Sequence, residues 1–134
     1  MNPIRSRSVH LRLYLLNTAL LATHEIDSAY WKEWDLFGIG GGIEDFLVIN
    51  FVLVAAVLYG LTRLADGFRS GIVFSVLLSA AGIFAFVIHM VFLMTGHAEF
   101  SNSISIGLLS CILAVSAVQL LFAVRSLRSG KENP

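Results

Sequence analysis

Residues 71–95, GIVFSVLLSAAGIFAFVIHMVFLMT, run for 25 positions without an Asp, Glu, Lys or Arg. At a rise of about 1.5 Å per residue, a helix of that length covers the roughly 30 Å hydrocarbon core of a bilayer. One side chain is out of keeping with the rest: His89, six residues before the end of the run. Ionisable groups at membrane depth are costly, and they face a protein interior or a water-filled cavity. The stretch therefore sets two expectations, a spanning helix and a polar site against its His89 face.

Working outward, three further segments are long and apolar enough to cross: residues 11–31, 43–64 and 104–124. The breaks between them are glycine-rich (Gly38, Gly40, Gly41, Gly42), short and charged (Asp66, Arg69), or polar (97–103). The fold expected is an all-α integral membrane protein, an antiparallel four-helix bundle forming one transmembrane domain. Composition agrees, since 57% of the 134 residues are hydrophobic and 13% charged, which argues against a soluble enzyme. Formal net charge is zero, and no basic cluster is large enough to follow a phosphate backbone, so nucleic-acid binding is not expected. The single Cys111 excludes an internal disulfide or a multi-cysteine metal cluster, and packing is its expected role.

Eight of nine basic residues fall on one side of this plan: Arg5, Arg7, Arg12, Arg63, Arg69, Arg125, Arg128 and Lys131, with Lys32 opposite. The positive-inside rule then puts both termini in the cytoplasm and the protein in the cell's inner (plasma) membrane. The leading arginines before residues 13–23 also resemble a signal peptide, but no small-x-small cleavage site follows. Acidic residues gather at the outer end: Glu25, Asp27, Glu33, Asp35, Glu44, Asp45 and Glu99, leaving Asp66 and Glu132 inside.

Counting inward from the outer boundary places His24, Asn50, His89 and Ser110 at one level, roughly 10 Å deep. His24 shares a helical face with Asn17, Asp27, Ser28 and Trp31. His89 shares one with Gly71, Ser75, Gly82, Leu93 and Gly96, small residues that admit a close neighbour. On the last span Ser103, Gly107, Ser110, Ala114 and Ala117 form a small-residue seam suited to the interior or to a homodimer.

Imidazole and carboxylate together suit zinc or iron. The expected ligands are His24, Asp27 and His89, with Glu25 as a fourth ligand or general base and Asn50 as a hydrogen-bonding support. Glu44, Asp45 or His97 are further candidates from the outer loops. Two other chemistries fit the same residues: a metal-free proton shuttle, as in an isomerase acting on a lipid-soluble molecule, and a haem held between His24 and His89. A structural alternative stands beside all of these. The polar residues would then only fix helix register in a non-enzymatic membrane subunit, with Asn50 and Gln119 as interhelical glue and Glu44 and Asp45 complementing a helix dipole.

The stretch His24-Glu25-Ile26-Asp27, followed by Tyr30-Trp31-Lys32-Glu33-Trp34 and a further His on the third of four short spans, resembles the small bacterial membrane proteins of the HXXEE group. Here Asp27 takes the first acidic position and Ser28 the second, and Phe37-Gly38-Ile39-Gly40 replaces a proline-containing turn. The resemblance implies that His24, Asp27 and His89 belong together, and it implies no reaction. The four-span plan is also similar in architecture to the emopamil-binding, sterol-isomerase-like group.

Overall fold

The computed structural model describes residues 3–97 and 101–129, with side chains from 7 to 128. Expectations resting on Glu99, Lys131, Glu132 and the Arg5 side chain lie outside the described residues. Five helices follow in order: α1 (Pro3–Tyr30), α2 (Glu33–Leu36), α3 (Ile43–Ala65), α4 (Arg69–Met94) and α5 (Ser103–Ser129). Among the described residues there is no strand. α3, α4 and α5 are long and apolar enough to cross a membrane. α1, expected to be the first span, has the length at 28 residues but not the composition, because Arg12, Asn17, His24, Glu25 and Asp27 interrupt it. It also starts earlier than residue 11, since Pro3 is tolerated in a first turn and nothing after it breaks a helix.

The packing pattern runs polar inside and apolar outside. The buried residues of α1 include His10, Tyr14, Asn17, His24 and Ser28, and those of α5 are Ser105, Leu109, Ile112, Ser116, Gln119 and Ala123. Both sets follow the alternating four-and-three spacing of a helix-packing seam. On α4 the buried set is Gly71, Ser75, Leu78, Ser79, Gly82 and His89. Outward lie large apolar side chains such as Phe51, 75% exposed, and Ile104, 82% exposed, far more exposed apolar area than a monomer in water tolerates. The small-residue seam expected on the last span is displaced. Ser103, Gly107, Ser110, Ala114 and Ala117 are all exposed, and Ser110 donates to its own helix at Ile106 O. Ser110 therefore drops out of the polar layer.

α1 and α4 run in the same direction and in fixed register. His10 Nε2 lies 2.7 Å from Ser75 Oγ across 65 residues, and His24 meets His89 at the same offset with ring centroids 4.6 Å apart. α5 runs antiparallel beside both. Asn17 Nδ2 donates to Gln119 Oε1 at 2.8 Å and to Ser116 Oγ at 3.0 Å, and Gln119 Nε2 donates to Ser75 Oγ at 2.8 Å. Gly82 of α4 lies against α5, where a Cβ would overlap Ser116 Oγ. These contacts make one closed layer across three helices, joined by an apolar cluster of Tyr14, Leu64 and Leu78. Gln119 thus acts as the interhelical bridge expected of it.

α3 is the outlying helix. It packs on α4 through Gly71, where a side chain would strike the Leu64 backbone, and on α1 through Tyr14, whose hydroxyl donates to Val57 O at 2.8 Å. At its start Phe46 is buried, with Trp34 5.4 Å away between ring centroids. Between these anchors, every residue from 47 to 56 except half-buried Asn50 is exposed.

Candidate functional site

The chain turns sharply at the end of α1. Lys32 is the one non-glycine residue with a positive φ among those described, at 54°, a conformation that side chains other than Asn, Asp and Gly rarely adopt. The turn starts α2 and points Glu33 back into the helices, where it is 6% exposed. Trp34 then packs on Phe46, and Phe37 on Phe92 with centroids 5.4 Å apart, so α2 is pinned to α3 and α4.

Beneath it, His24, Glu33 and His89 form a buried group whose ligand atoms all lie within 4.8 Å of one another. The two imidazoles stand edge to face at 77°. His89 Nδ1 is 2.7 Å from Ala85 O, and a carbonyl only accepts, so that nitrogen carries the proton. In the neutral ring Nε2 then presents its lone pair toward Glu33 Oε1, 3.4 Å away. Two lone pairs face each other stably only with a proton or a metal cation between them. Burial raises the Glu33 carboxyl above the usual carboxylate range; nearby Ser28 opposes this, and the charge of Asp27 adds to it.

The structure brings His24 and His89 together as expected and supplies a carboxylate that sequence reasoning had not chosen. Asp27 is half-buried beside the group, with Oδ2 buried and lacking a hydrogen-bond partner. Trp31 Nε1 and Asn50 Oδ1 share that condition, whereas the Ser28 hydroxyl is directed at the Glu33 carboxyl. Asn50 donates to Phe46 O in its own helix at 3.1 Å and also reaches the Glu25 carboxyl of α1, the interhelical contact expected of it. Glu25 and Asn50 both line a cavity of about 340 Å³ that also reaches His24, Glu33 and His89. Glu44 and Asp45 are exposed in the first turn of α3, where they complement the helix dipole. His97 is exposed and packs on Phe92, centroids 5.9 Å apart. None of these three joins the group.

The donor set fits a small cation better than a haem. Axial imidazoles on one iron place their nitrogens about 4 Å apart across a planar macrocycle, whereas these rings touch edge to face and leave no plane between them. Four-coordinate zinc, with bonds of about 2.0–2.1 Å, sets its ligand atoms roughly 3.3 Å apart. Binding would draw the group together, with the fourth position open to the cavity.

Polar-cored helices with apolar exteriors, closed at one end over a buried His/Glu group, define the class: an all-helical, membrane-type protein with a candidate metal-ligating site. Residues 10–126 match a family of unknown function (DUF6713), and the chain belongs to it. The match takes in both polar layers, from His10 to Gln119. No curated protein and no solved structure matches the chain.

Proposed function

We propose that this is a four-span bundle of the cell's inner membrane, both termini cytoplasmic, that binds one divalent transition metal, zinc or iron, near its outer face. His24, His89 and Glu33 are the ligands. Asp27 is the reserve carboxylate beside them, Glu25 the general base on the cavity wall, and Asn50 the support on the opposite wall. A kinship with the HXXEE group rests on the His24-to-Asp27 spacing. The observation that carries the metal reading is the convergence of three buried ligand residues from α1, α2 and α4 within 4.8 Å, with the His89 proton fixed on the far nitrogen by Ala85. A metal held by three protein groups with one position open activates water or polarises an oxygen.

Elemental analysis of detergent-purified protein tests this. About one equivalent of zinc or iron per chain is expected, falling below about one-tenth in Glu33→Gln and His89→Ala while His10→Ala keeps it. A wild-type chain that takes up neither metal on reconstitution would sink the reading. The Glu33–His89 contact of 3.4 Å favours the metal-free proton shuttle in second place. That reading gains if both variants lose activity on a lipid-soluble substrate with no metal present at any stage.

A further inference from the structure

The cavity beside the His/Glu group has polar atoms at one end and an apolar body. Asn50, Glu25 and the group itself lie at the α2 end, while Ile49 and Leu53 of α3 and Phe84 and Ile88 of α4 form the walls. Its volume of about 340 Å³ is at the lower end of the roughly 300–1,000 Å³ range of small-molecule sites. The mouth lies between α3 and α4. Ile49 is 45% exposed, Leu53 53% and Phe84 60%, and α3 has no buried residue between Phe46 and Gly60. Ile49 and Leu53 stand six and ten residues into α3, about 9 to 15 Å from its start. The opening is therefore level with apolar surface and faces hydrocarbon in a membrane.

We infer that this cavity takes a lipid-soluble alcohol: an apolar molecule with a hydroxyl head that enters sideways between α3 and α4 and places its head at Asn50 and the His24–Glu33–His89 group. The head chemistry follows from what lines the closed end. Asn50 Oδ1 is a buried acceptor with no partner, so the ligand donates. Glu25 and Glu33 line the same end and repel a carboxylate. An amine is protonated at neutral pH and has no lone pair left to offer. A hydroxyl donates to Asn50 and still presents an oxygen lone pair to the metal or to a protonated imidazole. The apolar body gains roughly 25 cal/mol for each Å² it would otherwise expose to water, but almost nothing against lipid, so the head sets the selectivity.

The inference rests on the proposed metal group for the position of the head, and its test separates the two. The full chain carries two tryptophans. In Trp31→Phe, Trp34 remains as a fluorophore packed on Phe46, a cavity residue. Protein in lipid nanodiscs is titrated with 2-bromodecan-1-ol, 2-bromodecane and 2-bromodecanoic acid, once loaded with zinc and once stripped with chelator. The alcohol is expected to quench saturably and about tenfold more tightly than the alkane, with the acid weaker than either in the stripped chain, where no cation offsets Glu25 and Glu33. Asn50→Leu should bring the alcohol to the level of the alkane, and Ala81→Phe, which fills the cavity from the α4 wall, should abolish saturation. Purely linear quenching, as in partition into lipid, overturns the inference, and so does equal saturation by alcohol and alkane. Saturable alcohol quenching in a chain that binds no metal keeps the cavity assignment and ends the metal reading. Stoichiometric metal with linear quenching does the reverse.

Discussion

The molecule holds two polar layers built on the same register, and they are finished differently. In one, His10, Ser75, Gln119, Asn17 and Ser116 satisfy one another through bonds of 2.7 to 3.2 Å, and none of their side-chain atoms is left buried without a partner. In the other, two heptads along α1 and α4, His24 and His89 meet a carboxylate from a folded-back turn, and Asp27, Trp31 and Asn50 each keep a buried atom unsatisfied. Burying such atoms costs about 1–3 kcal/mol each. The first layer is built for cohesion, and on the proposed reading the second is the one that binds.

Substitutions can break this division, the largest effect first. Gly82→Leu should disrupt the closed layer outright, since its side chain would occupy the place of Ser116 Oγ. Overpacking of this kind costs about 1–3 kcal/mol, read as a lowered melting temperature in detergent with or without metal. Glu33→Gln should weaken zinc binding by at least the ten- to hundredfold lost with a supporting group, measured by competition with a chromogenic chelator, and leave the metal-free melting temperature unreduced. Asn17→Leu should cost about 1 kcal/mol and leave zinc affinity unchanged; a parallel loss of zinc affinity would show that the layers are one unit.

The smallest effect is a pH dependence confined to the open layer. The Glu33 carboxyl is raised above its ordinary value of 4.5 by burial, so between the two values the folded chain holds a proton that the unfolded chain has released. Its contribution is complete below about pH 4.5 and is lost as pH rises through the raised value. Metal-free protein should therefore lose stability toward neutral pH over that window, and Glu33→Gln should flatten the profile. A slope that survives in Glu33→Gln would place the titration elsewhere.

The three long apolar helices, the meeting of His24 and His89, and the inward faces of α1 and α4 could be read from spacing, because apolar length and helical phase both show in it; the fourth span and the short α2 could not. What failed was not periodic. Glu33 reads only as one of the acidic residues gathered at the outer end, and nothing in Trp31-Lys32-Glu33-Trp34 marks a reversal, since the left-handed residue is a lysine where glycine or asparagine would have signalled it. On α5 two stripes share the same four-and-three spacing. Small side chains favoured the stripe through Ser110, whereas the interior takes the one through Ile112 and Gln119, whose amide has partners on α1 and α4. Asn50 lies at the expected depth, but depth alone does not say that its amide turns back to its own helix.

The 65-residue offset that pairs His10 with Ser75 and His24 with His89 acts like two teeth of one key. A piston stroke of α1 by a single turn, about 5.4 Å, would pull both pairs out of line at once and part the Asn17 amide from Ser116 and Gln119. Sliding of α1 against α4 therefore breaks both pairs together and not one at a time. α3 supplies a residue to neither pair, so the register of α1 and α4 is fixed without it.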